Sequence, residues 1–192
     1  MIQKSWVLNI PFIMKSIKKL LTIVVLTILS SSCSNQQSLQ KYFVDNSGNP
    51  DFISATIPAN IISLNDVNLS VEQKQAYESV KKLNVLAFQL KDNNKLAFET
   101  EKNKVKAILQ NNQYQELMRM NSRGYGGVVK YLGDNETIDE VIIYGNSNEK
   151  GFALIRILGD NMTPDGMLQL MQAVQSGKIS GEGLDKFDQF FK

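Results

Sequence analysis

Residues 114–160 read YQELMRMNSRGYGGVVKYLGDNETIDEVIIYGNSNEKGFALIRILGD, and this stretch decides the fold. Four runs rich in β-branched and other apolar residues, Glu116–Met120, Val128–Leu132, Ile138–Tyr144 and Phe152–Leu158, follow one another with Gly, Asn, Asp and Ser between them. Those residues make tight turns, so the stretch predicts a meander of four antiparallel strands.

Upstream, Ile53–Ile57 alternates like a strand and Pro58 ends it. Ser70-Val71-Glu72-Gln73 has the form of a capping box, and Ala76, Tyr77, Val80 and Leu83 follow at helical spacing, predicting a helix to about Lys82. Asn84–Leu90 is nearly continuously apolar, as in a central strand. Asp92-Asn93-Asn94 turns the chain. Val105, Ile108, Leu109 and Asn112 then mark a second helix from about Thr100 to Asn111, with Lys102, Lys104 and Lys106 toward solvent. Downstream, Thr163-Pro164-Asp165 offers an N-cap, a proline at the first helical position and an acid in the first turn. Met167, Leu168, Met171 and Val174 give that helix its apolar face, and Gly177 stops it. The order β-α-β-α-β-β-β-β-α predicts a single α+β domain, a mainly antiparallel sheet with helices packed on one face.

The other end of the chain carries an address. Lys15, Lys18 and Lys19 precede the apolar run Leu20–Leu29, and Ser30-Ser31-Ser32 leads into Cys33, the one cysteine of the 192 residues. A basic stretch, a short apolar stretch and small residues form an export signal, and the apolar run is too short to span a bilayer, which takes about 20 residues. Small residues before a cysteine resemble the lipobox of bacterial lipoproteins. The resemblance implies cleavage after residue 32 and lipidation of Cys33 with acyl chains such as palmitate. One acyl chain holds weakly at about 0.8 kcal/mol per buried CH₂, whereas two or three hold firmly. Met1–Ile13 fits no part of a signal and points to Met14 as the translation start.

The expected organisation is therefore a signal at 1–32, a lipidated N-terminus and tether at 33–48, the α+β domain at 49–178 and an amphipathic C-terminal helix at 179–192. Ser34–Gln40 is polar, a tether of at most about 25 Å at 3.3–3.6 Å per residue. In the last segment Leu184, Phe187, Phe190 and Phe191 form an apolar stripe after a Gly181-Glu182-Gly183 hinge. No acidic run follows Cys33, and acidic runs there mark surface export in some lipoproteins, so a periplasmic face, on the outer membrane, is expected.

Composition removes several chemistries. The chain has no histidine, which takes away the usual general base near neutral pH and the commonest metal ligand, and with them the Ser-His-Asp and Cys-His triads. A lone cysteine rules out an internal disulfide or a thiolate cluster. Four of the 21 basic residues lie in the leader, and the rest nearly balance the 19 acidic ones, so no nucleic-acid partner is expected.

Local motifs give no stronger lead. Arg123-Gly124-Tyr125-Gly126-Gly127-Val128-Val129-Lys130-Tyr131 begins like an RNA-recognition signature, but Gly127 and Lys130 stand where that signature needs rings, so it reads as a glycine-rich hairpin. Asp45–Asp51 hints at a calcium loop, yet its glycine is misplaced and no glutamate closes it. Glu99, Glu101, Asp139 and Glu140 are the carboxylates available for acid–base work, and each adjoins solvent-type residues rather than the contrasting environments that such work requires.

Between Ile53 and Val174 the chain resembles the family called domain of unknown function 4252. The resemblance is carried by Tyr114-Gln115-Glu116-Leu117-Met118, Val128-Val129-Lys130-Tyr131, Asp139-Glu140-Val141-Ile142-Ile143 and Phe152–Asp160. It implies a small exported protein or lipoprotein of Bacteroidetes type with no assigned activity, and it carries over no catalytic residue. The expectation is a non-enzymatic envelope lipoprotein, without cofactor or metal, that contacts the membrane through Cys33 and an envelope protein through its sheet or C-terminal helix. A regulatory component of an envelope-stress system and a carrier of a small hydrophobic ligand are the alternatives.

Overall fold

Local hydrogen bonding starts the fold at Ser38, whose Oγ accepts from the Lys41 amide and caps helix α1 (Leu39–Asn46). The computed structural model describes residues 37–61, 63–64, 69–122, 124–134, 136–176 and 179–180. They belong to one compact unit, residues 37–192. Cys33, the leader and the stripe from Leu184 to Phe191 lie outside the described residues. Helix α1 corrects the expected tether at 33–48. Leu39, Tyr42 and Phe43 recur on one helical face and are buried, so the packed domain begins at Leu39.

Strand β1 (Phe52–Pro58), a single 3₁₀ turn and the short strand β2 (Ser63–Leu64) come next. Helix α2 (Val71–Ser79) has the expected capping box, with Ser70 Oγ accepting from the Gln73 amide and Gln73 Oε1 from the Ser70 amide. It ends before the predicted Lys82, because strand β3 (Val80–Gln89) already pairs Lys82 with Pro58 on one side and Leu158 on the other. Helix α3 (Lys95–Leu109) starts five residues before the predicted Thr100. Its N-cap, Asn94, makes no capping bond; its amide instead joins Asp51 Oδ1, the Gln89 carbonyl and the Lys91 amide. Lys104 and Lys106 are exposed as expected, but Lys102 lies over the Phe98 ring at 5.0 Å.

The predicted meander follows as β4 (Tyr114–Ser122), β5 (Tyr125–Gly133), β6 (Ile138–Ser147) and β7 (Gly151–Met162). Gly151, at φ +120°, sits in the β6–β7 turn where a Cβ would collide with the Phe88 carbonyl. Helix α4 (Pro164–Gln175) opens as read, with Thr163 Oγ1 accepting from the Gly166 amide. Strand β8 (Ile179–Ser180) then pairs with β2, which corrects the helix expected to start at 179.

The main sheet has six strands in the order β1-β3-β7-β6-β5-β4, all antiparallel. The α+β class and the single sheet-centred domain stand. The helices, however, lie on both faces rather than one. Val85, Val129, Val141, Ile155 and Ile157 pack with Ala76 of α2 and Met167, Leu170 and Ala173 of α4. Their alternate neighbours Leu86, Phe88, Val128, Ile142, Phe152 and Leu154 pack with α1 and α3. Successive side chains of a strand point to opposite faces, and Gly151–Ile157 is buried throughout, so both faces of β7 need cover.

Candidate functional site

Helix α3 ends at Leu109 and leaves the far part of its sheet face open. There the β4–β5–β6 register aligns three polar rows. Lys130 stands beside Glu116 and Ile142, Val128 between Arg119 and Tyr144, and Gly126 between Asn121 and Asn146. With Lys106 and Gln110 from the end of α3 and Asn148 from the β6–β7 turn, these rows line a groove of about 540 Å³.

Gly126 opens its floor. A Cβ on this residue would come within 3.0 Å of Asn146 Nδ2 and 3.7 Å of Asn121 Oδ1, so the two amides already share the space above it. Tyr125, about half exposed, stands at the rim.

The groove is cationic. Arg119 donates through both Nε and Nη2 to Glu116, and this contact holds the exposed Glu116 carboxyl below its usual range. Lys130 Nζ donates to the Tyr114 carbonyl at 3.2 Å. Lys106 makes no ion pair among the described residues. One acid thus stands against three bases.

Tyr144 forms part of the inner wall. Burial pushes its phenol up to about 12, Asn146 pulls it back and Glu99 adds a through-space push. No group reaches its Oη with hydrogen-bond geometry, and this is the one buried side-chain polar atom among the described residues left so.

The other sequence candidates are committed elsewhere. Glu140, expected beside solvent, is 6% exposed and takes a two-pronged contact from Arg156 at 2.7 and 2.6 Å, with the guanidinium 5.4 Å from the Phe43 ring centre. Glu101 accepts from the Tyr42 hydroxyl at 2.8 Å and from Lys104, and Glu99 pairs with Lys102. Asp139 stays exposed one residue from Glu140, and the structure does not gather the four into one acid–base site. Asp51 binds the Asn94 amide and Asn49 Oδ1 the Asp51 amide, so the suspected calcium loop is a side-chain-braced turn. Among the described residues no group of three or more His, Cys, Asp or Glu could hold a metal, and no helix is long and apolar enough to cross a membrane.

Reading the sequence singled out Gly127 and Lys130 for another reason, gave Lys106 only to solvent and missed Arg119, Asn121, Gly126, Tyr144 and Asn146. The available signal was two glycines inside a strand, which mark a close approach, flanked by strands carrying Asn two residues before or after an Arg or Tyr. A family model described as domain of unknown function (DUF4252) matches residues 42–170, two thirds of the chain. No curated protein and no solved structure matches it.

Proposed function

We propose, from the premise that this chain belongs to the DUF4252 family, that it is a membrane-anchored envelope lipoprotein, lipidated on Cys33, whose domain is a non-enzymatic binding module. Its groove between α3 and strands β4–β6 is the contact surface for a partner, and its place is the periplasmic face of the outer membrane.

The observation that carries the reading is the onset of the packed core at Leu39, six residues after Cys33. At 3.3–3.6 Å per residue, a chain anchored at that cysteine holds the domain within about 20 Å of the bilayer. A module held so close meets its partner as a neighbour on the membrane, where local concentration replaces high affinity. The non-enzymatic part is supported by the lack of histidine and by carboxylates spent on ion pairs and turns. The polar lining of the groove is not what a carrier of hydrophobic ligands needs.

Intact mass and membrane fractionation of the protein from its native type of cell test the reading, with Cys33→Ala beside the wild type. The expected mass is that of residues 33–192 plus acyl chains, in the membrane fraction, with the variant unprocessed or released. A wild type that is soluble and unmodified would overturn it.

A further inference from the structure

The geometry points to an acidic saccharide as the ligand of the groove: a hydroxyl-rich ring compound carrying a carboxylate or phosphate, of about disaccharide size. This rests on the reading of the groove as the contact surface and is independent of the anchor.

Charge selects an anion. Lys106 and Lys130 line the groove and neither has a carboxylate partner among the described residues, while Glu116 is satisfied by Arg119. Ammonium and guanidinium groups that line a partly enclosed concavity favour a carboxylate or phosphate over a neutral ligand. The lining between the charges then selects hydroxyls. Gln110, Asn121, Asn146 and Asn148 each carry a donor and an acceptor on one planar group, and a sugar hydroxyl is likewise both. An acidic peptide would match the charges but leave this run of amides facing few hydroxyls.

Shape agrees with a ring. Gly126 leaves β5 without a side chain on the groove face, so a flat, partly apolar ring can lie against the sheet there. The volume of about 540 Å³ is far more than a lone ion fills and falls within the span of small-molecule sites. Tyr144, beside Asn146, closes the inner wall.

The test uses the full chain purified in detergent, with binding read by calorimetry and by chemical shifts of the Gly126, Gly127 and Asn146 amides. The probes are an oligosaccharide of uronic acids, a neutral oligosaccharide of equal length, inorganic phosphate and a tetraglutamate peptide. We expect the uronic oligosaccharide to bind at least tenfold more tightly than each other probe and to shift those amides. Raising salt should weaken it. Lys106→Ala, at an exposed position, should weaken it about fivefold with the melting temperature unchanged. Gly126→Ala should weaken it by displacing the flexible Asn146 amide. Equal binding of the neutral oligosaccharide, or of phosphate alone, would overturn the acidic-saccharide assignment. Preferential binding of the peptide would overturn the ligand class while keeping the groove as the contact surface. Silence of the groove amides toward every probe would overturn both.

Discussion

The two faces of the six-stranded sheet share the same strands in alternate positions, yet they are made of different material. The face under α2 and α4 is mostly aliphatic, Val, Ile, Leu, Met and Ala. Its buried Tyr131 hydroxyl is satisfied by Gln115 Oε1 at 2.9 Å. The face under α1 and α3 is aromatic: Phe52, Phe88, Phe98, Tyr144 and Phe152 pack ring on ring at 5.1–6.2 Å. It also holds the buried Glu140–Arg156 pair, and its uncovered end is the groove. One side is closed by aliphatic packing with a few neutral hydrogen bonds. The other carries the buried ion pair, the ring cluster and the opening, so the sheet gathers its ionic contact and its groove on one side.

That division can be broken first at its costliest point. Arg156→Met leaves the Glu140 carboxylate buried without a partner, and urea denaturation should show a loss of about 3–5 kcal/mol. The double variant Glu140→Leu with Arg156→Met should recover most of it. A single-variant loss below about 1 kcal/mol would mean that the polar side is not held by this pair. Next in size, Phe152→Ala should cost about 3–5 kcal/mol and Met167→Ala about 2–5 kcal/mol by the same assay, each through the cavity it leaves. The ring variant should lie higher, because Phe152 touches four other rings. The reverse order would erase the contrast between the faces.

A gain is expected at Tyr144. Tyr144→Phe removes a buried hydroxyl that no group satisfies, and thermal unfolding near neutral pH should show the variant more stable by about 1 kcal/mol. Alkali sharpens the point. Tyr42, Tyr114 and Tyr144 all have phenols raised first of all by burial, and all three belong to the aromatic face. A raised phenol contributes stability that is whole below the ordinary value of 10.0 and is lost as pH climbs toward about 12, because the unfolded chain ionises first. Denaturation across pH 9–12 should show that loss, smaller in Tyr144→Phe. A steeper loss in the variant would contradict the assignment. The smallest effect belongs to the exposed Glu116–Arg119 pair: Glu116→Gln should leave the midpoint of a thermal scan essentially where it is, since solvent screens such a pair.

Much of the architecture was legible because its signals are local. The capping box at Ser70, the Thr163-Pro164 helix start and the four strands with polar turns each lie within a few residues. The start of α3 was not, since Asn94 spends its amide on Asp51, 43 positions away, and Leu96 at its first turn faces solvent. Helix α1 reads as tether in the sequence because Gln37, Ser38 and Gln40 dilute an apolar face visible only once Leu39, Tyr42 and Phe43 are counted together. Helices on both faces were foreshadowed by the unbroken apolar runs at Leu86–Phe88 and Phe152–Leu154. The groove was not, because its rows join Asn121, Gly126 and Asn146 across three strands, and such a set exists only once the register is known.

Strand β1 lies at the border of the sheet and has β3 as its one neighbour there. Tension entering the molecule at residue 37 therefore meets α1 first, held sideways by Tyr42 on Glu101 and by Phe43 against Arg156. It then reaches the β1–β3 ladder at the Phe52–Phe88 end, where the rungs are loaded in turn rather than together. A load held at the groove passes on through β7, β6 and β5, each of which is flanked by two strands. A border strand held on one side is the weakest link in that series, so the N-terminal border is a mechanical fuse for the groove at the opposite border.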